Sequence, residues 1–334
     1  MRHPQADDPR WFPAEYIAER DAFRLIEIGL QQIGDAPFLD KRMPLDWGSA
    51  IEVDAGGKEA SSETPSFLVH TAFCGSTLLA RALHAPPRSV SLKEPLVLQQ
   101  LTMAWLRMGG RRELLEERLR AALGLLARPW TAGGKVLVKP SNQANVLLAT
   151  IRRHLPRART ILLHSSLEDF MVSCFKKLPA AEERIRWMAQ SLLRETALAG
   201  SLEIDPTARF NLVESCALAW YAQMERFAAA LQSDRYDSIR SLDFARLLGD
   251  PAAAVTACAQ WLNLAEDAIE ERVRQVFSRD AKAASRSFDA EQRAYEHRLA
   301  ADRYGDIVKL GLSWAHERIA PHARLPSDWK PLRF

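Results

Sequence analysis

The chain has 334 residues, 47% of them hydrophobic and 26% charged, with 45 lysines and arginines against 42 aspartates and glutamates. This composition excludes a disordered, collagen-like or low-complexity chain, and the length suffices to bury a sizeable core without disulfide or metal staples. A net charge of +3 carries no polyelectrolyte signal, so nucleic-acid binding would need a local basic patch.

Cys74, Cys174, Cys216 and Cys258 are tens of residues apart and form no C-x-x-C pair, so reduced, buried thiols are expected rather than a disulfide framework or a zinc site. Met1 to Arg10 is polar and lacks the apolar stretch of a signal peptide. No run reaches the roughly 18 apolar residues of a spanning helix. A cytoplasmic protein without membrane association is the expectation.

Trp11 to Arg42 is read as one or two helices, from the loose spacing of Ile17, Phe23, Leu25 and Ile28. Gly56-Gly57-Lys58-Glu59 through Ser61-Ser62-Glu63-Thr64-Pro65 is a turn-rich loop leading into the core. Short apolar runs then alternate with helical patterns. Strands are predicted at Ser66–His70, Val90–Leu92, Lys135–Lys139 and Thr160–His164. Helices are predicted at Thr77–His84, Leu96–Met108, Arg111–Ala127 (after a Gly109-Gly110 break), Ala144–His154 and Leu167–Lys177. This alternation predicts βαβ units and a mostly parallel sheet covered on both faces. Further on, helices at Glu182–Ala199 and Leu212–Leu231 precede a strand at Asp237–Ser241, and Pro251 opens a helix capped by Asp250. The expected organisation is one domain: a helical lead-in over 1–65, an α/β core over 66–264 and a helical extension over 265–334.

Ligands of open parallel sheets bind beyond the carboxyl ends of the strands. Here four successive strands end at His70, Lys93-Glu94-Pro95, Lys139-Pro140-Ser141-Asn142 and His164-Ser165-Ser166. The turn Cys74-Gly75-Ser76-Thr77, opening a helix after the first of these strands, offers close backbone approach, unpaired N–H groups and hydroxyls. That combination suits phosphate or sulfate, although a plain helix cap explains it equally. Set against G-x-x-x-x-G-K-[ST], His70 stands at the first glycine and Ser76 at the lysine, which disfavours an ordinary ATPase or GTPase.

Phe67-Leu68-Val69-His70 through Gly75-Ser76-Thr77-Leu78-Leu79-Ala80 resembles the first loop of P-loop sulfotransferases. Lys93-Glu94-Pro95, Lys139-Pro140, Leu155 to Leu163, Leu167 to Ser173, Leu242 to Leu248, Asp250-Pro251 and Trp261 to Leu264 are similar to later segments of that family in the same order. The resemblance spans roughly Ser66 to Leu264. It implies a three-layer α/β fold with a mostly parallel central sheet and extra helices. The implied activity is sulfuryl transfer from 3′-phosphoadenosine 5′-phosphosulfate to a hydroxyl or amine of a small-molecule or peptide acceptor. Two positions depart from the family pattern. Phe73 stands where the first loop carries a cation, and Ser165 where the fourth strand ends in arginine. Lys93, Lys139, Lys176, Arg81 or the stretch around Lys282 and Arg286 are the basic groups that could compensate.

In this reading Cys74, Gly75, Ser76 and Thr77 form the anion loop, and Ser165 and Ser173 stand near a second phosphate. Glu94 is the candidate general base, with a salt bridge to Lys93 or an arginine as the alternative. His70 and His164 are the other candidate bases, and Lys139 could stabilise charge on the transferring group. A phosphoryl or nucleotidyl transferase using another anionic donor, and a non-catalytic member binding an anion or a partner, remain alternatives. The basic cluster Arg152-Arg153-His154 with Arg157 and Arg159 falls on the opposite edge and reads as a solvated face rather than a nucleic-acid site. Trp187, Trp220, Phe227 and Trp261 read as core, and no metal site is expected.

Overall fold

Ala22, Phe23, Leu25 and Ile26 are buried, a spacing that mimics a helix face, yet the segment is a strand. Strand β1 (Trp11–Ile17) pairs antiparallel with β2 (Ala22–Glu27). After helix α1 (Leu30–Asp35), β3 (Ile51–Asp54) adds to β2's other side. The helical reading of Trp11–Arg42 is therefore corrected to two strands and a short helix. The reason is burial on both faces, which erases the alternation of a half-buried strand. The computed structural model describes residues 7–43, 47–56, 63–107, 112–194, 196–205, 209–278 and 290–334. Gly57, Lys58, Glu59, Ser61, Ser62, Met108, Gly109, Gly110, Arg111, Lys282 and Arg286 lie outside the described residues.

The core alternates as its sequence predicts: β4 (Ser66–His70), α2 (Ser76–Ala82), β5 (Ser89–Lys93), α3 (Leu96–Arg107), α4 (Arg112–Leu126) and β6 (Lys135–Lys139). A 3₁₀ turn at Asn142–Leu147 leads into α5 (Leu148–His154), so the helix predicted from Ala144 starts later. Then come β7 (Thr160–His164), α6 (Leu167–Phe175), α7 (Glu182–Leu193), α8 (Ala197–Ser201) and α9 (Leu212–Gln232). The helix predicted over Glu182–Ala199 is thus two, parted where Arg194 turns extended. Strand β8 (Ile239–Asp243) sits two residues later than predicted, because Asp237 has φ +50° and its neighbour Asp234 takes the Ser238 and Ile239 N–H groups. Helices α10 (Phe244–Gly249), α11 (Pro251–Leu262), α12 (Ile269–Phe277) and α13 (Ala290–Arg318) complete the chain, α11 starting at Pro251 with Asp250 as cap.

The five strands form one parallel sheet in the order β5-β6-β4-β7-β8. Phe67, Val69, Leu92, Val138 and Leu162 face one buried cluster, which also takes in β1, β2, α4, α6, α7, α9 and α13. Leu68, Leu137, Ile161, Leu163 and Leu242 face the other, with α2, α10, α11 and α12. The fold is α/β in three layers, and the order places β4 centrally, with its loop between the ends of β6 and β7. All four cysteines are buried free thiols. Among the described residues no helix is long and apolar enough to cross a membrane.

Candidate functional site

Because the strands are parallel, His70, Lys93, Lys139 and His164 all arrive at one edge of the sheet. The chain leaves β4 through left-handed residues, Ala72 (φ +71°), Phe73 (φ +55°) and Gly75 (φ +71°), before α2 begins at Ser76. Gly75 is required twice over. Its φ disfavours any L side chain, and a Cβ there would lie 2.4 Å from Cε2 of Phe244. Phe244, the first residue after β8, thus packs directly on the turn. Ser76 and Thr77 are buried, and their hydroxyls make no hydrogen bond to a described residue. Cys74 is fully enclosed, and burial pushes its thiol above the ordinary value, so it is an unreactive part of the turn.

Beside the loop, Lys139 Nζ lies 2.6 Å from Glu94 Oε1. Lys139's side chain is 0% exposed and Glu94's 17%, so the carboxylate is the member of the pair that reaches the crevice. Glu94 is fixed by a left-handed backbone (φ +52°) and by its N–H, which donates to Lys139 O at 2.6 Å. The Phe38 ring lies over the pair, its centroid 5.7 Å from Lys139 Nζ, and Leu39 N–H donates to Lys93 O. Glu94 is thus a partly exposed carboxylate in a salt bridge, but with Lys139 rather than with the Lys93 or arginine expected from the sequence, since Lys93 is turned to the Ile33 and Gly34 carbonyls. Lys139 reaches the crevice only through Glu94.

The two histidines have different surroundings. His70 is buried, Nδ1 accepting from Ala72 N–H (3.1 Å) and Nε2 lying 3.1 Å from Pro140 O. Both nitrogens are thus engaged by backbone, tying the ends of β4 and β6 together. His164 Nδ1 stands 3.7 Å from Asp243 Oδ2, and its ring packs on Trp329 at 4.3 Å. Burial lowers its pKa, and Asp243 opposes that shift.

Two enclosed hydroxyls flank the loop without a hydrogen-bond partner among the described residues, Ser141 after β6 and Ser165 after β7. Orphaned buried hydroxyls are costly unless a ligand or water completes them. Ser173 is half-buried on α6. The Phe73 ring packs on Phe170 of α6 at 5.8 Å and carries two cations, Lys177 Nζ at 5.0 Å and the Arg184 guanidinium at 5.9 Å. Sequence reasoning missed both cations. Lys177 lies one helical turn beyond Ser173, a spacing that could have drawn attention to it. Arg184 sits at the start of α7, and no sequence signal points to it.

Three of the compensating cations named from the sequence do other things. Lys93 is fully buried and donates to Ile33 O (2.7 Å) and Gly34 O (3.0 Å), where burial pushes its pKa down to about 7. Lys176 pairs with Glu296. Lys139 is committed to Glu94.

No protein-family model and no curated protein matches the chain. Among solved structures it is similar to a sulfotransferase domain from the curacin biosynthetic pathway, at 12% identity, covering 73% of this chain and 99% of that one with a TM-score of 0.42. It is also similar to a sulfotransferase from Alicyclobacillus acidocaldarius, at 16% identity, 73% and 96% coverage and a TM-score of 0.39. A third is the sulfotransferase domain of the Synechococcus PCC 7002 olefin synthase, at 13% identity, 75% and 97% coverage and a TM-score of 0.42. At these identities and TM-scores the likeness by itself assigns neither donor nor acceptor.

Proposed function

We propose that the chain is a sulfotransferase-like transferase that moves a sulfuryl group from 3′-phosphoadenosine 5′-phosphosulfate to a hydroxyl or amine of a small-molecule or peptide acceptor. The observation that carries this reading is the Glu94–Lys139 pair, a carboxylate after β5 held in fixed geometry by the lysine that ends β6, the strand next to β4 and its glycine-hinged loop. The residues present suit an anionic donor. Ser76 and Thr77 bring unengaged hydroxyls, Ser141 and Ser165 bring orphaned ones on either side, and Lys177 and Arg184 bring positive charge beside Phe73. When bound, the donor supplies the sulfuryl group and a bisphosphate leaving group.

Glu94's second oxygen, Oε2, makes no hydrogen bond to a described residue and is placed to take the acceptor's proton. Lys139 fixes the carboxylate and balances its charge from behind. His164, lined up with Asp243 at the far side of the loop, is the alternative base. His70, with both ring nitrogens held by backbone, is an architectural residue in this reading.

Thermal-shift titration with the sulfate donor, its 3′,5′-bisphosphate product, ATP and GTP tests the proposal. At 100-fold its dissociation constant a true ligand adds about 2.7 kcal/mol. Stabilisation by the donor and bisphosphate, with metal-independent turnover, is expected. Stabilisation by ATP or GTP alone, with a Mg²⁺ requirement, would replace it with phosphoryl or nucleotidyl transfer. Donor binding without turnover on any acceptor would replace it with a binding role.

A further inference from the structure

At the sheet's other edge, the start of β7 and β8 meets the C-terminal segment. β8 is the outermost strand, and a free edge invites pairing. The segment covers it: Ser241 N–H donates to Lys330 O at 3.0 Å, Leu332 N–H donates to Ser241 O at 2.8 Å, and Leu332 is buried in the core. Between this segment and α11 lies a cleft of about 780 Å³, within the size range of small-molecule sites. It brings together a residue from the basic cluster, Arg159, with Arg240, Lys330, Arg333 and Trp261. Trp261 is thus only half-buried and faces this cleft, rather than lying wholly in the core as its helical spacing suggests.

We propose that this cleft is a second anion site, separate from the loop, that binds a small organic phosphate in its dianionic form. Four cationic side chains line it against two carboxylates, Asp237 and Asp328. Asp237 is shared: Arg240 donates to both its oxygens (2.9 and 2.7 Å), and Lys330 Nζ lies 3.3 Å away. Arg159 is fixed by neutral acceptors, its Nη1 donating to Gln260 O (3.3 Å) and Trp261 O (2.8 Å), and no carboxylate among the described residues neutralises it. Arg333 makes no ion pair with a described residue. The Trp261 ring has the Arg240 guanidinium 4.0 Å from its centroid and that of Arg159 at 5.7 Å, which pre-orders both planar forks. Arg159, ordered and without a carboxylate partner among the described residues, together with the unpaired charge of Arg333 beside it, matches the charge and bidentate geometry of a phosphate monoester better than those of a singly charged sulfate ester.

Calorimetric titration of the full chain with phenyl phosphate and phenyl sulfate tests this. One saturable phenyl phosphate site is expected, with phenyl sulfate at least tenfold weaker. The double variant Arg159→Ala/Arg333→Ala should weaken phenyl phosphate at least tenfold, while Ser76→Ala, in the loop, should leave it unchanged. Both arginines are exposed, and Arg333→Gln alone gives the same reading, with a smaller loss, if the double variant proves poorly folded. The proposal is overturned if the wild type shows no saturable site, if the arginine variants bind as the wild type does, if Ser76→Ala alone abolishes binding, or if phenyl sulfate binds as tightly.

Discussion

Lys139 and Glu94 form an ion pair in which the cation is wholly enclosed and the anion is open to the crevice. Removing one partner strands the other, and breaking a buried pair costs about 3–5 kcal/mol. Glu94→Leu, which strands the enclosed cation, should therefore lower stability by roughly that amount, Lys139→Met, which leaves an anion that water reaches, should cost less, and the double variant Lys139→Met/Glu94→Leu should lose less than the sum of its singles. Denaturant unfolding of the four proteins measures the coupling. Strict additivity would show that the pair contributes nothing.

Glu94→Gln keeps the shape and a hydrogen-bonding oxygen toward Lys139 but removes the proton acceptor. Turnover should fall on the order of 10²–10⁴-fold while affinity for the 3′,5′-bisphosphate stays within a few fold. His164→Gln tests the rival base in the same assay. A large loss there, with an active Glu94→Gln enzyme, would transfer the role. His70→Gln should lower stability and leave the shape of the pH–rate profile unchanged, because His70 holds backbone rather than substrate.

Much of this was legible because buried parallel strands announce themselves. Ser66–His70, Lys135–Lys139 and Thr160–His164 are uninterrupted apolar runs ending in polar groups, and each is a strand with the predicted limits. The N-terminal sheet was not legible. Trp11–Ile17 is buried on both faces, and Ala22–Glu27 repeats apolar residues at helix-like intervals, so periodicity pointed the wrong way. The site divides along the same line. Residues at strand ends could be placed by topology, whereas Lys177 and Arg184 gather at Phe73 only because left-handed turns aim its ring at α6. Nor did sequence show that Phe244 packs on Gly75, a contact between residues 75 and 244.

That contact makes Gly75 a poor site for a bulky, fold-neutral probe of the loop. Gly75→Ala meets both a left-handed backbone, which costs roughly 1–2 kcal/mol, and the Phe244 ring. Adding Phe244→Ala should restore the steric part and leave the backbone part. A double variant no more stable than predicted by adding the two singles would show that the ring yields freely. Ser76→Ala, which removes one hydroxyl and no packing glycine, is the cleaner variant for donor affinity.

Lys93 gives the fold a pH dependence of its own. Burial first, then the neighbouring Arg81 charge, brings its pKa from 10.5 down to about 7. Between those values the unfolded chain holds a proton that the folded chain has released. The unfolded state therefore binds more protons there, and stability rises with pH across that window. Measured against Lys93→Met, which has no such group, the wild type should gain on the order of a few kcal/mol in unfolding free energy between pH 7 and pH 10. A difference that is flat or falls over this range would mean that Lys93 stays charged in the core.

The last test concerns the cations at Phe73. A ring occupies the loop position, and Lys177 and Arg184 sit above it at 5.0 and 5.9 Å, so positive charge is supplied from α7 and the end of α6 rather than from the loop. Ser165 contributes an enclosed hydroxyl without a partner among the described residues, not a charge. A hydrogen bond to a charged group is worth about 1.5–3 kcal/mol, or roughly one to two powers of ten in affinity. Lys177→Ala/Arg184→Ala should thus weaken the 3′,5′-bisphosphate by about two to four powers of ten, provided both reach it. Phe73→Leu should weaken it less, since it removes the platform and leaves the charges. Tight wild-type binding untouched by the double variant would reject these cations as ligands and leave the serines and backbone to hold the anion. Absence of wild-type binding, with binding gained in Phe73→Arg/Ser165→Arg, would instead show a crevice whose shape suits the donor but whose charge does not. Calorimetric titration at two salt concentrations separates the cases, because charge-borne affinity falls with ionic strength and packing-borne affinity does not.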